Sequence, residues 1–268
     1  MKVLVLGDMI HDLYRHFTAS RLCPEGPVPV LVDEKKWSTP GGAGLVAAQL
    51  TELIGDNRNV MLLTGSYSQK ERIFADDRLM IRMDSDSEKT ACTPEIYLDA
   101  IEVQFAEFKP DAIIVSDYGK GSFNPQLGEW LVRRADDLNI PVFVDAKNNS
   151  TWYDGAFAIF PNEKESASLG IRHIIRKLGA RGCQVDSVDI PTKKHAVRDV
   201  TGAGDVFLAA FVYSYLLNDT YFWDGDYRHS FPTEKERLHG AAKFANRTAG
   251  LSVEYVGTHV VTKAEIFK

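Results

Sequence analysis

The sequence predicts an α/β fold built on a mainly parallel sheet with helices on both faces. Two observations support this prediction: short apolar runs of strand length recur along the chain, and segments with helical spacing separate most of them. Such alternation is typical of strand–helix–strand units, whose helices cover both faces of a parallel sheet. At 268 residues the chain can bury a large core, and the length is compatible with one domain or two.

The first third of the chain contains clear strand and helix patterns. Residues 2–8 form an apolar run that stops at Gly7, which is typical of a buried central strand. Residues 27–37 are extended, and their prolines favour an edge strand or a lid over a central strand. Residues 41–55 predict a helix that is entered through glycines and closed by Gly55.

Strands and helices continue to alternate along the rest of the chain. Residues 60–65 predict a buried strand, and residues 71–84 predict a hairpin that turns at 75–77. A short helix is expected within 163–170, and residues 218–236 predict a surface loop. The other predicted helices are 94–108, 124–139, 203–217 and 233–251, and the other predicted strands are 111–117, 141–147, 156–162 and 173–179.

Composition and charge exclude several classes of protein. Apolar residues make up 44% of the chain and charged residues 25%, as in ordinary globular proteins, and the net charge of −6 argues against binding to nucleic acid or to an anionic membrane. The three cysteines are far apart and lack metal-ligand spacing, which favours free thiols in a reducing cytosol. No apolar run has the length of a signal peptide or a membrane span, so we expect a cytoplasmic protein.

A glycine-rich turn, "TGAGD" at residues 201–205, precedes a strongly apolar helix. Gly202, Ala203 and Gly204 leave the backbone open at a helix N-terminus, where unpaired N–H groups and the helix dipole favour an anion. The carboxylate of Asp205 would repel a phosphate there. Its presence therefore indicates a chemical role, such as accepting a proton from an attacking hydroxyl. The alternative is that the glycines allow tight packing and Asp205 caps the helix.

Ordered motifs along the chain resemble those of the ribokinase-like (PfkB) carbohydrate kinases. The similarity extends from about Val3 to Val261, and within the family it is greatest to the heptose-7-phosphate kinase domain of bifunctional ADP-heptose synthesis enzymes. It implies a ribokinase-like three-layer sandwich over 1–268 as a single domain, with a small β-lid formed by segments near 28–38 and 71–83. The motifs that carry the resemblance are "GDMIHDLY", "SRLCPEGPVPV", "PGGAG", "SDYGKG", "VDAK", "PNEKE", "KLGARG" and "DVTGAGDVFLAAF".

The resemblance assigns roles to the glycine-rich turn and to a nucleotide site. It makes Asp205 the general base and residues 202–204 the anion hole for the transferred phosphoryl group. Asn162 and Glu165 match the family's N-x-x-E, which organises Mg²⁺ and its waters beside ATP. Taken alone, these two residues are better explained as a helix cap with a solvated carboxylate. The other residues implied near ATP are Lys177, Gly179 and Gly182, and those implied beside a monovalent cation such as K⁺ are Asp199 and Thr201.

The resemblance also implies a sugar site. Asp12, Gly41 and Gly42 match positions that touch sugar hydroxyls, although a turn-stabilising Asp is an equally good explanation of Asp12 alone. Lys120 and Lys147 follow strands whose ends face the ligand crevice. Candidates for a phosphate already present on the sugar are Arg15, Arg21, Arg72 and Arg82, of which Arg15 and Arg72 are preferred over plain solvated surface arginines.

The chain departs from the family pattern in three places. Leu45 stands where the family has an Asn, so one sugar contact is missing and the sugar could differ from heptose. The spacings at 60–74 and at 161–179 are shorter than in relatives, which indicates a chain trimmed relative to the family. These 268 residues show no motif of the nucleotidyltransferase half of the bifunctional relatives, so we expect a separate polypeptide to supply that step.

Taken together, these features predict an ATP-dependent carbohydrate kinase. The leading substrate is D-glycero-D-manno-heptose 7-phosphate, converted to the 1,7-bisphosphate. One alternative is a kinase of another phosphorylated sugar or of a nucleoside, and another is a catalytically retired protein that binds nucleotide or sugar. Because an exposed lid has unpaired edges and an apolar face, a homodimer formed through the lid is expected.

Overall fold

The computed structural model describes residues 1–86, 92–147, 149–165, 167, 170–217, 219–221, 228–230 and 233–268. The strands are β1 (Val3–Leu22), β2 (Pro29–Gly42), β3 (Val60–Ala75), β4 (Arg78–Asp86), β5 (Ala112–Asp117), β6 (Val142–Ala146), β7 (Ala158–Ile159), β8 (His173–Lys177), β9 (Cys183–Val185), β10 (Val188–Ile190), β11 (Asp219–Tyr221) and β12 (Arg228–Ser230). The helices are α1 (Ala43–Ile54), α2 (Pro94–Glu107), α3 (Pro125–Asp137), α4 (Ala203–Leu217), α5 (Glu234–Ser252) and α6 (Lys263–Ile266).

A mixed sheet forms the middle layer of the fold. Within the described ranges it has ten strands in the order β10-β9-β8-β7-β6-β5-β1-β3-β4, and β2 also pairs with β1. Strands β3, β1, β5, β6, β7 and β8 run parallel to one another, whereas β2, β4, β9 and β10 are antiparallel to their neighbours. The predicted α/β fold with a mainly parallel sheet is therefore confirmed.

Two apolar cores cover the two faces of this sheet. Val3 and Val5 point into a core that includes α1, α4 and α5, and Leu4 and Leu6 point into the core with α2 and α3. Alternate residues of a strand face opposite sides, so a strand buried on both faces must be apolar at every position. This is why the sequence of β1 starts as an unbroken apolar run.

The lid is an extension of the central strands. Beyond Gly7, β1 runs on to Leu22, pairing with β2 on one side and with β3 on the other. The prediction that the first strand stops at Gly7 is wrong, and the structure gives the reason. A Cβ on Gly7 would clash with the carbonyl oxygen of Ser116 in β5, so this glycine permits the close approach of two strands and does not end one.

The second half of the lid is a hairpin of β3 and β4. The predicted hairpin at 71–84 is present, and its turn residues Asp76 and Asp77 have φ values of 47° and 62°, in the left-handed region that such a turn requires. However, β3 begins at Val60, so the strand predicted at 60–65 and the first arm of the hairpin are one strand. The segments 28–38 and 71–83 thus lie in or beside β2, β3 and β4.

The C-terminal part contains the helix that carries the glycine-rich turn. Helix α4 is buried almost throughout, and both α4 and α5 match their predicted bounds to within about a residue. The short helix predicted within 163–170 is a turn at its described residues, and positions 166, 168 and 169 lie outside the described residues. Of the loop predicted at 218–236, the described part includes the paired strands β11 and β12.

Candidate active site

The candidate site lies at the carboxyl edge of the parallel strands. Tyr118 directly follows β5, Asp145 and Lys147 lie at the end of β6, and Lys177 ends β8. The N-terminus of α4, with Asp205 on its first turn, faces the same edge. Because parallel strands end together, residues that are far apart in sequence meet here, at the usual ligand position of open α/β sheets.

Asp205 is a buried carboxyl that accepts a hydrogen bond from Tyr118. Its residue surface is 2% exposed, and the hydroxyl of Tyr118 donates to both carboxylate oxygens, at 2.9 Å to Oδ1 and 3.0 Å to Oδ2. Burial raises the pKa of Asp205 to about 7, and the neighbouring charge of Asp145 acts in the same direction, against Lys147, the Tyr118 hydrogen bond and Lys177. A carboxyl that titrates near neutrality is suited to exchange a proton with a hydroxyl.

The contacts of Asp205 bear on the capping alternative. Both carboxylate oxygens accept from the hydroxyl of Tyr118, the residue that directly follows β5. A capping Asp would instead accept from the N–H two or three residues ahead. The geometry therefore favours the chemical explanation of Asp205 over the capping explanation.

Two lysines surround a second buried carboxylate, Asp145. The ammonium of Lys177 forms an ion pair with Oδ2 of Asp145, and the ammonium of Lys147 lies 3.5 Å from Oδ1. Burial would raise the pKa of Asp145, but the two ammonium groups outweigh it and hold the pKa below the usual range. Sequence reasoning missed Asp145, although its place in "VDAK", at the end of an apolar strand, is the signal that could have found it.

The glycines of the turn have different surroundings. A Cβ on Gly202 would lie 2.5 Å from Leu45 Cδ2 and 2.8 Å from Thr258 Cγ2, and its φ of 76° is in the left-handed region, so Gly202 serves packing. A Cβ on Gly204 would lie 3.4 Å from the ammonium of Lys177 and 3.8 Å from Oδ2 of Asp145. The bare backbone at Gly204 thus faces a cation, an arrangement that suits an anion.

Asn162 and Glu165 form a closed turn. The amide oxygen of Asn162 accepts from the N–H groups of Lys164 and Glu165, and the carboxylate of Glu165 accepts from the backbone and side-chain N–H groups of Asn162, at 2.8 and 2.6 Å. The Glu165 side chain is 8% exposed and lies 3.5 Å from the ammonium of Lys147, so it is not the solvated carboxylate of the capping alternative. Its remaining lone pairs fit a Mg²⁺ ion held through water better than one held directly.

The turn between β8 and β9 carries the other two glycines of the predicted nucleotide site. Gly179 has a φ of 58°, and a Cβ there would meet nothing within 4 Å. Gly182 has a φ of 96°, and a Cβ there would clash with the carbonyl oxygen of Ile190, so Gly182 allows close packing against β10. Of the residues predicted near ATP, Lys177 contacts the Asp145 carboxylate, and Gly179 borders open space.

On the lid side, Asp12 and Arg72 form a buried pair. Asp12 lies on β1 and is 2% exposed, and its Oδ1 accepts from Nη1 of Arg72 at 2.6 Å. A Cβ on Gly41 would lie 2.6 Å from Oδ2 of Asp12, so this glycine leaves that oxygen room. Arg72 also stacks over Tyr14, with its guanidinium carbon 5.2 Å from the ring centroid. The structure therefore brings Arg72 and Asp12 together.

Other residues predicted for the sugar site lie apart from this pair. Arg15 is held by the carboxylates of Glu34 and Glu71. It neighbours Tyr14 in a strand and so points to the opposite face of the lid. Gly42 has a φ of 56°, and a Cβ there would lie 2.6 Å from the carbonyl oxygen of Asp8, so Gly42 serves the entry into α1.

Asp8 is a buried residue whose role sequence reasoning missed. Its Oδ1 accepts from the hydroxyl of Ser66 at 2.6 Å and from the N–H of Ser122 at 3.1 Å. Its Oδ2 accepts from the N–H groups of Tyr118 at 2.7 Å and Lys120 at 3.1 Å. One carboxylate thus fixes the loop that follows β5, and the signal was the "GD" pair in the first strand.

Asp199 fixes the start of the glycine-rich turn. Its Oδ1 accepts from the N–H and the hydroxyl of Thr201, at 2.9 and 2.7 Å, and its Oδ2 accepts from the N–H of Gly257 at 2.9 Å. Burial would raise the pKa of Asp199, but these hydrogen bonds outweigh it and lower the pKa. Among the described residues, no group of three or more His, Cys, Asp or Glu side chains could hold a metal ion.

Comparisons with known proteins show which families this chain resembles. The profile of the pfkB family carbohydrate kinase matches residues 163–264. The chain is 28% identical over 317 residues to the bifunctional protein HldE of a Nitratiruptor species, covering 99% of this chain and 64% of that protein. It is 30% identical over 323 residues to the bifunctional protein HldE of Desulfatibacillum aliphaticivorans, covering 99% and 62%. The chain therefore spans a little under two thirds of the length of these relatives.

Solved structures share the fold at low sequence identity. The ribokinase of Giardia lamblia has a TM-score of 0.66 at 15% identity, covering 99% of this chain and 97% of that one. A Burkholderia thailandensis nucleoside kinase in complex with inosine has a TM-score of 0.61 at 16% identity, covering 98% and 95%. No helix in the described part of the chain has the length and apolarity needed to cross a membrane. The motifs, the profile match over residues 163–264 and the fold make this chain similar to the PfkB carbohydrate kinases, and its fold is ribokinase-like.

Proposed function

We propose that this protein is an ATP-dependent kinase that phosphorylates a hydroxyl group of a sugar phosphate. The leading substrate is D-glycero-D-manno-heptose 7-phosphate, and the product is the 1,7-bisphosphate. The observation that carries the proposal is the buried Asp205 carboxyl, placed on the first turn of α4 next to the bare Gly204 and the ammonium of Lys177. A base, an anion-binding backbone and a cation are the groups that phosphoryl transfer needs.

In the proposed reaction, the anomeric hydroxyl oxygen of the sugar attacks the γ-phosphorus of ATP. The new bond joins that oxygen to phosphorus, the bond between phosphorus and the β,γ-bridging oxygen breaks, and ADP leaves with that electron pair. The hydroxyl proton passes to Asp205, whose near-neutral pKa allows it to accept the proton and release it again. The backbone at Gly204 and the ammonium of Lys177 stabilise the negative charge on the transferred group.

Magnesium and a monovalent cation belong to the proposal. Mg²⁺ would be held through water by Asn162 and Glu165 and would neutralise charge on the ATP phosphates. Lys147 bridges the carboxylates of Glu165 and Asp145, and its charge lowers the pKa of the proposed base, Asp205. Asp199 and Thr201 already bond to each other, and K⁺ would share the remaining lone pairs of Asp199.

The choice of sugar rests on the HldE relatives and on the Asp12 carboxylate. Asp12 has one oxygen on Arg72 and the other beside Gly41, where it can accept sugar hydroxyl hydrogen bonds. Leu45 is fully buried against Gly202, so it fills core space where the family pattern has an Asn. That replacement, together with the fold of the inosine-bound nucleoside kinase, keeps a kinase of another phosphorylated sugar or of a nucleoside as the second candidate.

A catalytically retired binding protein is less well supported. A protein that only binds ATP gains nothing from a buried carboxyl next to the phosphate site, because the carboxylate repels the ligand. We further propose that the protein acts in the cytoplasm as a homodimer formed through the lid. Strand β4 supports this proposal, because Leu79, Ile81 and Met83 are 54%, 54% and 43% exposed along one sheet edge.

The test is a ligand screen followed by an assay of turnover. Thermal unfolding would be followed with a panel of sugar phosphates, free sugars and nucleosides, each with and without ATP and Mg²⁺. Compounds that stabilise the protein would then be assayed for ADP release. We expect heptose 7-phosphate to raise the melting temperature and to release ADP. Turnover of a nucleoside alone would support the second candidate, and binding without any ADP release would support the retired protein.

A further inference from the structure

Tyr118 contacts the proposed base but takes no part in the bond changes of the proposed reaction. Its hydroxyl is the hydrogen-bond donor to Asp205, with distances of 2.9 and 3.0 Å to the two carboxylate oxygens. Burial, followed by the charges of Asp205 and Asp145, raises the pKa of the Tyr118 phenol well above its usual value. The phenol therefore keeps its proton and remains a donor throughout the pH range in which a kinase works.

The position of Tyr118 is fixed from both ends. Its N–H donates to Asp8 at 2.7 Å, and the next N–H, of Gly119, donates to Asp117 at 2.8 Å. Two ammonium groups lie over its ring, that of Lys147 at 4.9 Å and that of Lys70 at 5.7 Å from the ring centroid. Cations over a ring face attract the ring. The hydroxyl is thus aimed at Asp205 by contacts with β1, β3, β5 and β6.

We propose that Tyr118 is a positioning residue, whose hydroxyl holds the Asp205 carboxylate ionised and in one orientation so that it can receive the sugar proton. The proposal rests on the proposed role of Asp205 as the base. A donor that bonds the charged form of a carboxyl favours that form. This is needed because burial and Asp145 favour the protonated form of Asp205, and Tyr118 acts against them together with Lys147 and Lys177.

The alternative is that Tyr118 only joins the loop after β5 to α4. The two explanations differ in what Tyr118→Phe changes, since this substitution removes the donor and keeps the ring that Lys70 and Lys147 contact. A positioning role predicts that the titration midpoint of the Asp205 carboxyl rises by about one pH unit, given the usual strength of a hydrogen bond to a charged group. A purely structural role predicts an unchanged midpoint and a lower melting temperature.

A matched control exists on the neighbouring loop. The buried hydroxyl of Tyr153 donates to Oδ2 of Asp117 at 2.8 Å, so Tyr153→Phe removes the same kind of bond from a different carboxylate. We expect Tyr153→Phe to leave the Asp205 midpoint unchanged. In the opposite direction, 3-fluorotyrosine at position 118 is a stronger donor and should lower the midpoint, which provides a second measurement if the Phe variant folds poorly.

The experiment follows the carboxyl carbon directly by NMR of the full chain labelled at aspartate Cγ. The signal that disappears in Asp205→Asn is the Asp205 signal, and its midpoint is compared in the wild type and the two Phe variants. An unchanged midpoint in Tyr118→Phe overturns the proposal. In parallel, the rate of ADP release with heptose 7-phosphate is measured against pH. Its decline on the acid side should occur at a correspondingly higher pH in Tyr118→Phe than in the wild type. If the wild type releases no ADP, the proposed function fails, and the midpoint still decides the role of Tyr118.

Discussion

Single residues at this site carry charges that the fold itself does not need. Asp205 is buried beside Asp145, although a carboxylate there costs free energy of solvation and repulsion. Gly204 leaves open backbone where any side chain would lie against Lys177. Such strained arrangements are kept where function requires them, and substitutions at these residues should separate chemistry from binding.

Substitutions of the proposed base and of the anion site should have different effects on turnover and on ATP binding. Asp205→Asn keeps the shape of the side chain but removes the proton acceptor, so we expect turnover to fall by about 10²–10⁴-fold while ATP still binds. Gly204→Val should instead weaken ATP binding, because its side chain enters the space between the turn and Lys177. ADP release and nucleotide titration measured on both variants test this division. Wild-type turnover in Asp205→Asn would show that Asp205 is not the base.

The raised pKa of Asp205 also predicts how stability depends on pH. Its pKa in the folded state is about 7, and in the unfolded chain the pKa returns to its usual value of 3.8, so between these values the folded state binds the extra proton. The contribution of Asp205 to stability therefore falls as pH rises from about 4 to 7, and ionised Asp205 destabilises the fold above pH 7. Asp205→Asn should raise the melting temperature at about pH 8 more than at about pH 5. Equal shifts at both pH values would contradict the raised pKa.

At the scale of elements, the sequence predicts local patterns better than it predicts which patterns join. The helix at 203–217 was predicted because its glycine-rich start and its apolar run are local. The 20-residue β1 was not, because Gly7 interrupts the apolar run and only its contact with Ser116 explains why the strand continues. The same distinction applies to the residues of the candidate site. Asp205 lies in a local motif, whereas the parts played by Tyr118 and Asp145 depend on strand ends that meet in three dimensions.

This explanation of Gly7 predicts a large loss of stability on substitution. In Gly7→Ala the added Cβ would clash with the backbone of Ser116, and the φ of 143° disfavours alanine, so β1 and β5 must separate. We expect a loss of about 3 kcal/mol or more in the free energy of unfolding, measured by urea denaturation. Gly26→Ala is the matched control, because a Cβ there meets nothing within 4 Å. A loss below about 1 kcal/mol for Gly7→Ala would contradict the close approach.

At the scale of the whole molecule, the lid exposes an apolar edge that a partner copy could cover. Strand β4 pairs only with β3 among the described strands, so its other edge carries unpaired backbone groups. Exposed apolar edge strands in soluble proteins are usually paired, covered or charged. The exposed side chains of Leu79, Ile81 and Met83 carry no charge, and Arg82 on the same strand is paired with Asp84. Two lids packed against each other would cover the β4 edge of each copy.

The homodimer can be tested with two exposed isoleucines. Ile81 on β4 is 54% exposed and Ile96 on α2 is 62% exposed, so a lysine at either position costs little in an isolated chain. If two lids pair through β4, Ile81→Lys buries a charge in the interface, while Ile96→Lys leaves it untouched. We expect light scattering at micromolar concentration to give a dimer for the wild type and Ile96→Lys, and a monomer for Ile81→Lys. A monomeric wild type would exclude the lid dimer. Full activity of that monomer would show that the proposed reaction does not require a second chain.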